Sequence, residues 1–191
     1  MKPREALKGK LIDPSDLDDF SAAIKAKGIK IVFTSGNWDL IHLGQMRYLA
    51  EARKLGDLLV VGVQSNEAIK KVKGPNKPIL DEMVRAETLV FLKCVDFVTI
   101  VPIPSAQPTL KLLKPDIYVT VIEDWNSNYK ESKEYKTVTN YGGEVQLVDR
   151  QSPSISTSKI IAKVASGELA AKFQEYIDKY NVSPLKERFG K

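Results

Sequence analysis

Ile29-Lys30-Ile31-Val32-Phe33-Thr34-Ser35-Gly36-Asn37-Trp38-Asp39-Leu40-Ile41-His42-Leu43-Gly44-Gln45 is the stretch whose reading decides the fold. Its β-branched apolar opening (Ile29, Ile31, Val32, Phe33) has the composition of a buried strand. Ser35, Gly36 and Asn37 supply a turn, and from Gly44 the apolar spacing becomes helical. Strand, loop and helix in that order place His42 beyond a strand's carboxyl end, facing the first amides of a helix. In parallel α/β sheets that is where phosphate is held.

Working outward, Gly44 to Leu55 carries Met46, Leu49, Ala50 and Leu55 among good helix formers, and Gly56 follows as a C-cap. Leu58-Leu59-Val60-Val61-Gly62-Val63 is a continuous apolar run, the mark of a parallel strand covered on both faces. The basic, Gly- and Pro-broken segment Lys70 to Pro78 reads as a loop whose lysines are either solvated or facing a polyphosphate. A helix over Asp81–Lys93, a strand over Phe97–Val101, a short helix over Thr109–Leu113 and a strand over Ile117–Val121 come next. A helix over Lys130–Tyr141, a Gly142-Gly143 turn and a strand over Val145–Val148 complete the alternation. The pattern predicts an α/β fold, a Rossmann-like doubly wound sheet of five parallel strands. Residues 1–28 read as a helical extension with Leu17, Phe20, Ala23 and Ile24 on one face. Ser156 or Thr157 is a natural N-cap for the helix bearing Ile160, Ile161 and Val164, and Gly167 precedes a last helix, Leu169–Tyr180, and a polar tail.

The 191 residues, 43% hydrophobic and 28% charged, suffice for one sizeable core, so a single domain over 1–191 is expected. No run of eighteen apolar residues occurs and the first residues carry no apolar leader, which predicts a cytoplasmic protein with no membrane partner. A net charge of +5 favours anionic small molecules, and without an arginine-rich run or an aromatic-basic platform no nucleic acid is expected. Cys94, alone in an apolar helical stretch, reads as packing material. One His and one Cys make no zinc site, so no metal-ligating residues are assigned. The dinucleotide fingerprint is missing after the first strand and a Walker A loop occurs nowhere, which disfavours hydride transfer and P-loop chemistry.

Phe33-Thr34-Ser35-Gly36-Asn37-Trp38-Asp39-Leu40-Ile41-His42-Leu43-Gly44-Gln45, with Arg47-Tyr48-Leu49 and Gly56-Asp57, resembles the opening of the cytidylyltransferase-like nucleotidyltransferases, whose motif is His-x-Gly-His. Ile155-Ser156-Thr157-Ser158-Lys159 resembles the family's second signature. Lys73-Gly74-Pro75, Pro78-Ile79, Arg85-Ala86-Glu87, Val95-Asp96 and Lys114-Pro115-Asp116 are similar to the adenylyltransferase domain that activates heptose 1-phosphate.

The resemblance implies transfer of a nucleoside monophosphate from ATP or CTP to a phosphorylated sugar or alcohol, with release of pyrophosphate. It implies Mg²⁺ accompanying the triphosphate and a homodimer. His42 and Gln45 are the implied catalytic residues. Thr34, Ser35, Gly36, Asn37, Asp39, Gly44, Lys73, Ile155, Ser156, Thr157 and Ser158 are the implied nucleotide contacts, with Lys77 a further cation for the triphosphate. Two departures from the pattern keep a second reading open. Gln45 stands at the motif's second histidine and cannot become cationic. In the heptose-type relatives the fourth strand ends on a lysine and two glycines, whereas here Thr120 stands at the lysine and Val121-Ile122-Glu123-Asp124-Trp125 holds neither glycine. The alternative is a catalytically impaired homologue that binds a nucleotide or phosphometabolite. Arg85 heads a helix and reads as a solvated face or as a structural or dimer residue, and Trp38 as core or subunit-contact surface.

Overall fold

Both faces of one sheet are apolar in this chain, and helices alternate with the strands to cover them. The computed structural model describes residues 4–121, 128–149, 151 and 156–180, in two units, 1–153 and 154–191. The first unit runs β1 (Leu11–Ile12), α1 (Leu17–Lys25), β2 (Ile31–Gly36), α2 (Leu43–Arg53), β3 (Leu58–Gln64), α3 (Asn66–Lys73), α4 (Glu82–Val90), β4 (Phe97–Val101), α5 (Gln107–Leu113), β5 (Ile117–Val121), α6 (Lys133–Asn140) and β6 (Glu144–Val148). The second holds α7 (Thr157–Ala165) and α8 (Glu168–Tyr180).

The strands lie in the order β1-β4-β3-β2-β5-β6, every pairing parallel. The α/β doubly wound sheet thus holds, with six strands where the pattern gave five. The addition is β1, two residues set against Val98 and Thr99, too short for any periodicity to reveal. Val32, Leu59, Val61, Val63 and Val98 join Leu49 and Ala52 of α2 and Ala86 and Leu89 of α4 in one core. Ile31, Phe33, Leu58 and Val60 point the other way, to Leu17 of α1, Leu110 and Leu113 of α5 and Val138 of α6. Strand side chains alternate between faces, so a run apolar at every position is what two covered faces require.

Three aspartates fasten the amino edge of the sheet. Asp57, Asp96 and Asp116 each precede a strand and accept a backbone amide from its neighbour: Lys30 at 2.8 Å, Leu59 at 2.8 Å and Ile31 at 2.8 Å. Arg53 of α2 pairs with Asp96 at 2.9 Å.

Three local expectations are corrected. The segment read as loop from Lys70 is helical through Lys73, because Ser65 caps α3 by accepting the Ala68 amide at 3.1 Å and Ala68 and Ile69 are buried. α4 stops at Val90, so Cys94 lies in the turn beyond it, half-buried, where burial pushes its thiol pKa up. β2 continues through Ser35 and Gly36, paired with Gly62 and Val63, so the loop proper is Asn37–His42. The 3₁₀ turn Pro14–Asp16 leads into α1, and in the second unit Ser156 accepts the Lys159 amide at 3.2 Å as the N-cap of α7. Among the described residues no helix is long and apolar enough to cross a membrane.

Candidate functional site

β3 and β4 extend the sheet on one side of β2, whereas β5 returns to β2's other side. The winding therefore reverses between β2 and β5, and a crevice opens beyond their carboxyl ends, the place where doubly wound sheets take ligands. The Asn37–His42 loop leaves β2 at that point. β5 ends there too, with Thr120 half-buried near its end. Ile122 to Trp125, and Ile155 of the second signature, lie outside the described residues.

The loop is shaped by its own side chains. Trp38, with a φ of 54°, folds its indole back over the strand end, and a Cβ on Gly36 would lie 3.1 Å from that ring, a tight contact that the absence of a side chain relieves. The indole Nε1 donates to the Gly62 carbonyl at 2.9 Å; Trp38 is 6% exposed and belongs to the core. Thr34 is buried, its hydroxyl 2.7 Å from the Tyr48 phenol, which donates to the Val119 carbonyl at 3.0 Å. Tyr48 of α2 thereby bridges β2 and β5 across the switch point.

His42 is the N-cap of α2, half-buried with its Nδ1 inside. The amides of Leu43 and buried Gly44 precede the helical ladder, so the positive end of the α2 dipole opens beside His42. Gln45, at the position of the motif's second histidine, accepts the His42 backbone N–H on its side-chain oxygen at 3.2 Å. That is the glutamine side of a capping box, which a histidine at the N-cap conceals from the sequence.

Asp39 is 6% exposed, and its carboxylate accepts the backbone amides of Ile79 at 2.9 Å and Leu80 at 3.0 Å. The stretch between α3 and α4 is thus tied to the β2–α2 loop. Arg85 departs from one of its sequence readings, the solvated face. It has no solvent exposure and donates to the carbonyls of Leu80 at 2.9 Å and Asn37 at 2.5 Å and to the Asn66 side chain at 2.9 Å. Of the readings left open, the solvated face is overturned and the structural one stands: two of the acceptors, Asn37 and Asn66, lie 48 and 19 residues away, and only Leu80 is near. Burial pulls its pKa below the ordinary value, while Asp39, Glu82 and Asp81 act to raise it.

Structure thus brings Thr34, Ser35, Gly36, Asn37, Asp39, His42, Gly44 and Gln45 together around one strand end. Lys73, exposed in the last turn of α3, and Lys77, half-buried beyond it, have no ion pair among the described residues. Ser156, Thr157 and Ser158 open α7 in the second unit. No group of three metal-ligating side chains occurs among the described residues. A cavity of about 420 Å³ lies elsewhere, lined by Lys111, Lys114, Lys136, Thr137, Asn140 and Tyr141. It sits where α5 and α6 end, at helix termini whose dipoles disfavour an anion.

Comparison with known proteins bears on this geometry. The sequence pattern described as Cytidylyltransferase-like matches residues 33–163. The bifunctional protein HldE of Geotalea uraniireducens is 38% identical over 157 residues, 81% of this chain and 31% of that protein. That of Syntrophotalea carbinolica is 36% identical over 148 residues, 78% of this chain and 29% of that protein. The chain therefore spans about three-tenths of the length of these relatives. In the crystal structure of the lipopolysaccharide core biosynthesis protein from Thermoplasma volcanium, 97% of that chain matches 64% of this one, at 30% identity and a TM-score of 0.53.

Proposed function

The chain belongs to the cytidylyltransferase-like family, and we propose that it is a nucleotidyltransferase acting on a nucleoside triphosphate, ATP or CTP, and a phosphorylated sugar or alcohol. An oxygen of the acceptor phosphate attacks the α-phosphorus, the bond to the α–β bridging oxygen breaks, and pyrophosphate leaves with the electron pair. No covalent enzyme intermediate and no protein nucleophile is required, so catalysis is positioning and charge stabilisation.

One observation carries the reading: His42 and the open amides of α2 stand beyond β2 where the winding of the sheet reverses. With Nδ1 inside, His42 meets a phosphate oxygen through Nε2, and the Leu43 and Gly44 amides donate to a neighbouring oxygen. Gly44 admits the phosphate to the backbone, and Lys73 and Lys77 serve the outer phosphates. Ser156, Thr157 and Ser158 enter as nucleotide contacts on the resemblance of their signature alone. Bound with the triphosphate, Mg²⁺ would supply charge neutralisation at its oxygens.

A second reading has its own support. The Gln45 oxygen is engaged at the His42 amide, and no cation takes the place of the missing histidine on α2's first turn. A protein that binds nucleotide and turns it over poorly fits that arrangement. The deciding experiment is a pyrophosphate-release screen crossing four nucleoside triphosphates with phosphorylated sugars and polyols, beside direct binding of each nucleotide. Release with any pair supports the enzyme; binding without release supports the impaired homologue. Sedimentation equilibrium tests the homodimer that the resemblance implies.

A further inference from the structure

Arg85 is fully buried, yet each of its three hydrogen-bond acceptors is neutral: two backbone carbonyls and one amide oxygen. Desolvating a guanidinium is costly, so the weight of an arginine in this place lies in what its hydrogen bonds hold together. What the side chain does is join three segments. Asn37 opens the β2–α2 loop, Asn66 opens α3, and Leu80 stands just ahead of α4. The Leu80 peptide group region is held from two sides, its N–H by Asp39 and its carbonyl by Arg85.

The grip on Asn37 has a directional consequence. In a planar trans peptide the carbonyl and the following N–H point opposite ways. Turning the Asn37 carbonyl inward to Arg85 turns the Trp38 amide away from the buried guanidinium. Among the described residues no backbone or side-chain acceptor takes that amide, while the Trp38 indole is anchored at Gly62. The loop thus carries a fixed donor with no acceptor among the described residues.

We propose that Arg85 is a positioning residue of the phosphate site, holding the Asn37 carbonyl so that the Trp38 amide faces a nucleotide phosphate oxygen. It also fixes the Lys77-bearing segment to that loop. Arg85 itself touches no ligand. The inference rests on the nucleotidyltransferase reading, and the experiment separates the two.

The full chain is titrated calorimetrically with each of the four nucleoside triphosphates in the presence of Mg²⁺, as wild type, Arg85→Met and Arg85→Lys, with thermal midpoints measured in parallel. Arg85→Met fills a similar volume without charge. It is expected to stay folded and to lose tenfold or more in nucleotide affinity, the size of effect seen when an oriented donor is removed. Arg85→Lys, with one headgroup for three acceptors, recovers only part of that loss. Amide exchange in the wild type supplies a measurement independent of any variant: nucleotide slows exchange at Trp38. Wild type that binds while Arg85→Met binds within twofold of it, or a Trp38 amide indifferent to bound nucleotide, overturns the assignment to Arg85 alone. Wild type that binds none of the four overturns the parent reading and this one with it.

Discussion

The side-chain oxygen of Gln45 lies 3.2 Å from the backbone nitrogen of His42 and accepts its proton, so each residue of the altered motif fixes the other's place on the first turn of α2. Gln45→Ala is expected to cost about 1 kcal/mol of stability through the lost cap. If the amide also positions a phosphate, pyrophosphate release falls by roughly tenfold to a thousandfold. Gln45→Glu separates the two effects: a carboxylate accepts the same N–H and suits the helix start, but repels the triphosphate. Unchanged urea midpoint with weakened nucleotide binding is the expected result, and unchanged binding would remove Gln45 from the site.

Asp57, Asp96 and Asp116 are among the residues that carry the family resemblance, yet each serves the amino edge of the sheet. Asp96→Ala and Asp116→Ala each leave a partly buried strand amide without its acceptor, which costs about 1–3 kcal/mol. Chemical denaturation should show that loss while the folded fraction binds nucleotide normally. A selective loss of binding at unchanged stability would contradict the structural assignment.

Tyr48→Phe removes one hydroxyl that touches Thr34 and the Val119 carbonyl together. Both groups are buried in the core, so the expected cost is about 1–3 kcal/mol. Thr34→Val should behave alike in stability; a drop in nucleotide affinity beyond that of Tyr48→Phe would show that the Thr34 hydroxyl serves the ligand as well.

Asp81 caps α4, and the Met83 amide, followed by the Asn66 side chain, holds its carboxyl pKa below the ordinary 3.8. The unfolded chain then takes up the proton first as pH falls. The stabilisation is complete above that ordinary value and is lost as pH drops through the folded-state value. Asp81→Asn keeps a capping oxygen without the titration. The stability difference between wild type and this variant should therefore shrink from pH 7 to pH 3; a constant difference would rule out the linkage.

Legibility followed the length scale of each feature. Leu58 to Val63 announced a strand covered on both faces because six consecutive apolar residues have no other economical fate in a short run. α3 was hidden behind its own lysines: only Ala68 and Ile69 face inward, and the Ser65 cap, which could have located the start, precedes a segment dominated by Lys70, Lys71 and Lys73. Arg85 was unreadable for a different reason. Its burial depends on acceptors at Asn37 and Asn66, 48 and 19 residues away, with only Leu80 in its own neighbourhood. The order of strand, loop and helix at β2–α2 was legible because the three are contiguous, although the strand ran two residues further, through Ser35 and Gly36, than the turn residues suggested.

The return of β5 to the far side of β2 also sets a problem in time. Asp116 and Ile31, which bond across that junction, are 85 residues apart in the chain. Until residues near 117 arrive, Val32 and Phe33 can pair with β3 while β2's opposite edge stands open. An unpaired apolar strand edge is a template for a second chain. During synthesis or refolding the nascent sheet is therefore most prone to clump just before β5 docks, a hazard that dilution, lower temperature or a holding chaperone would relieve.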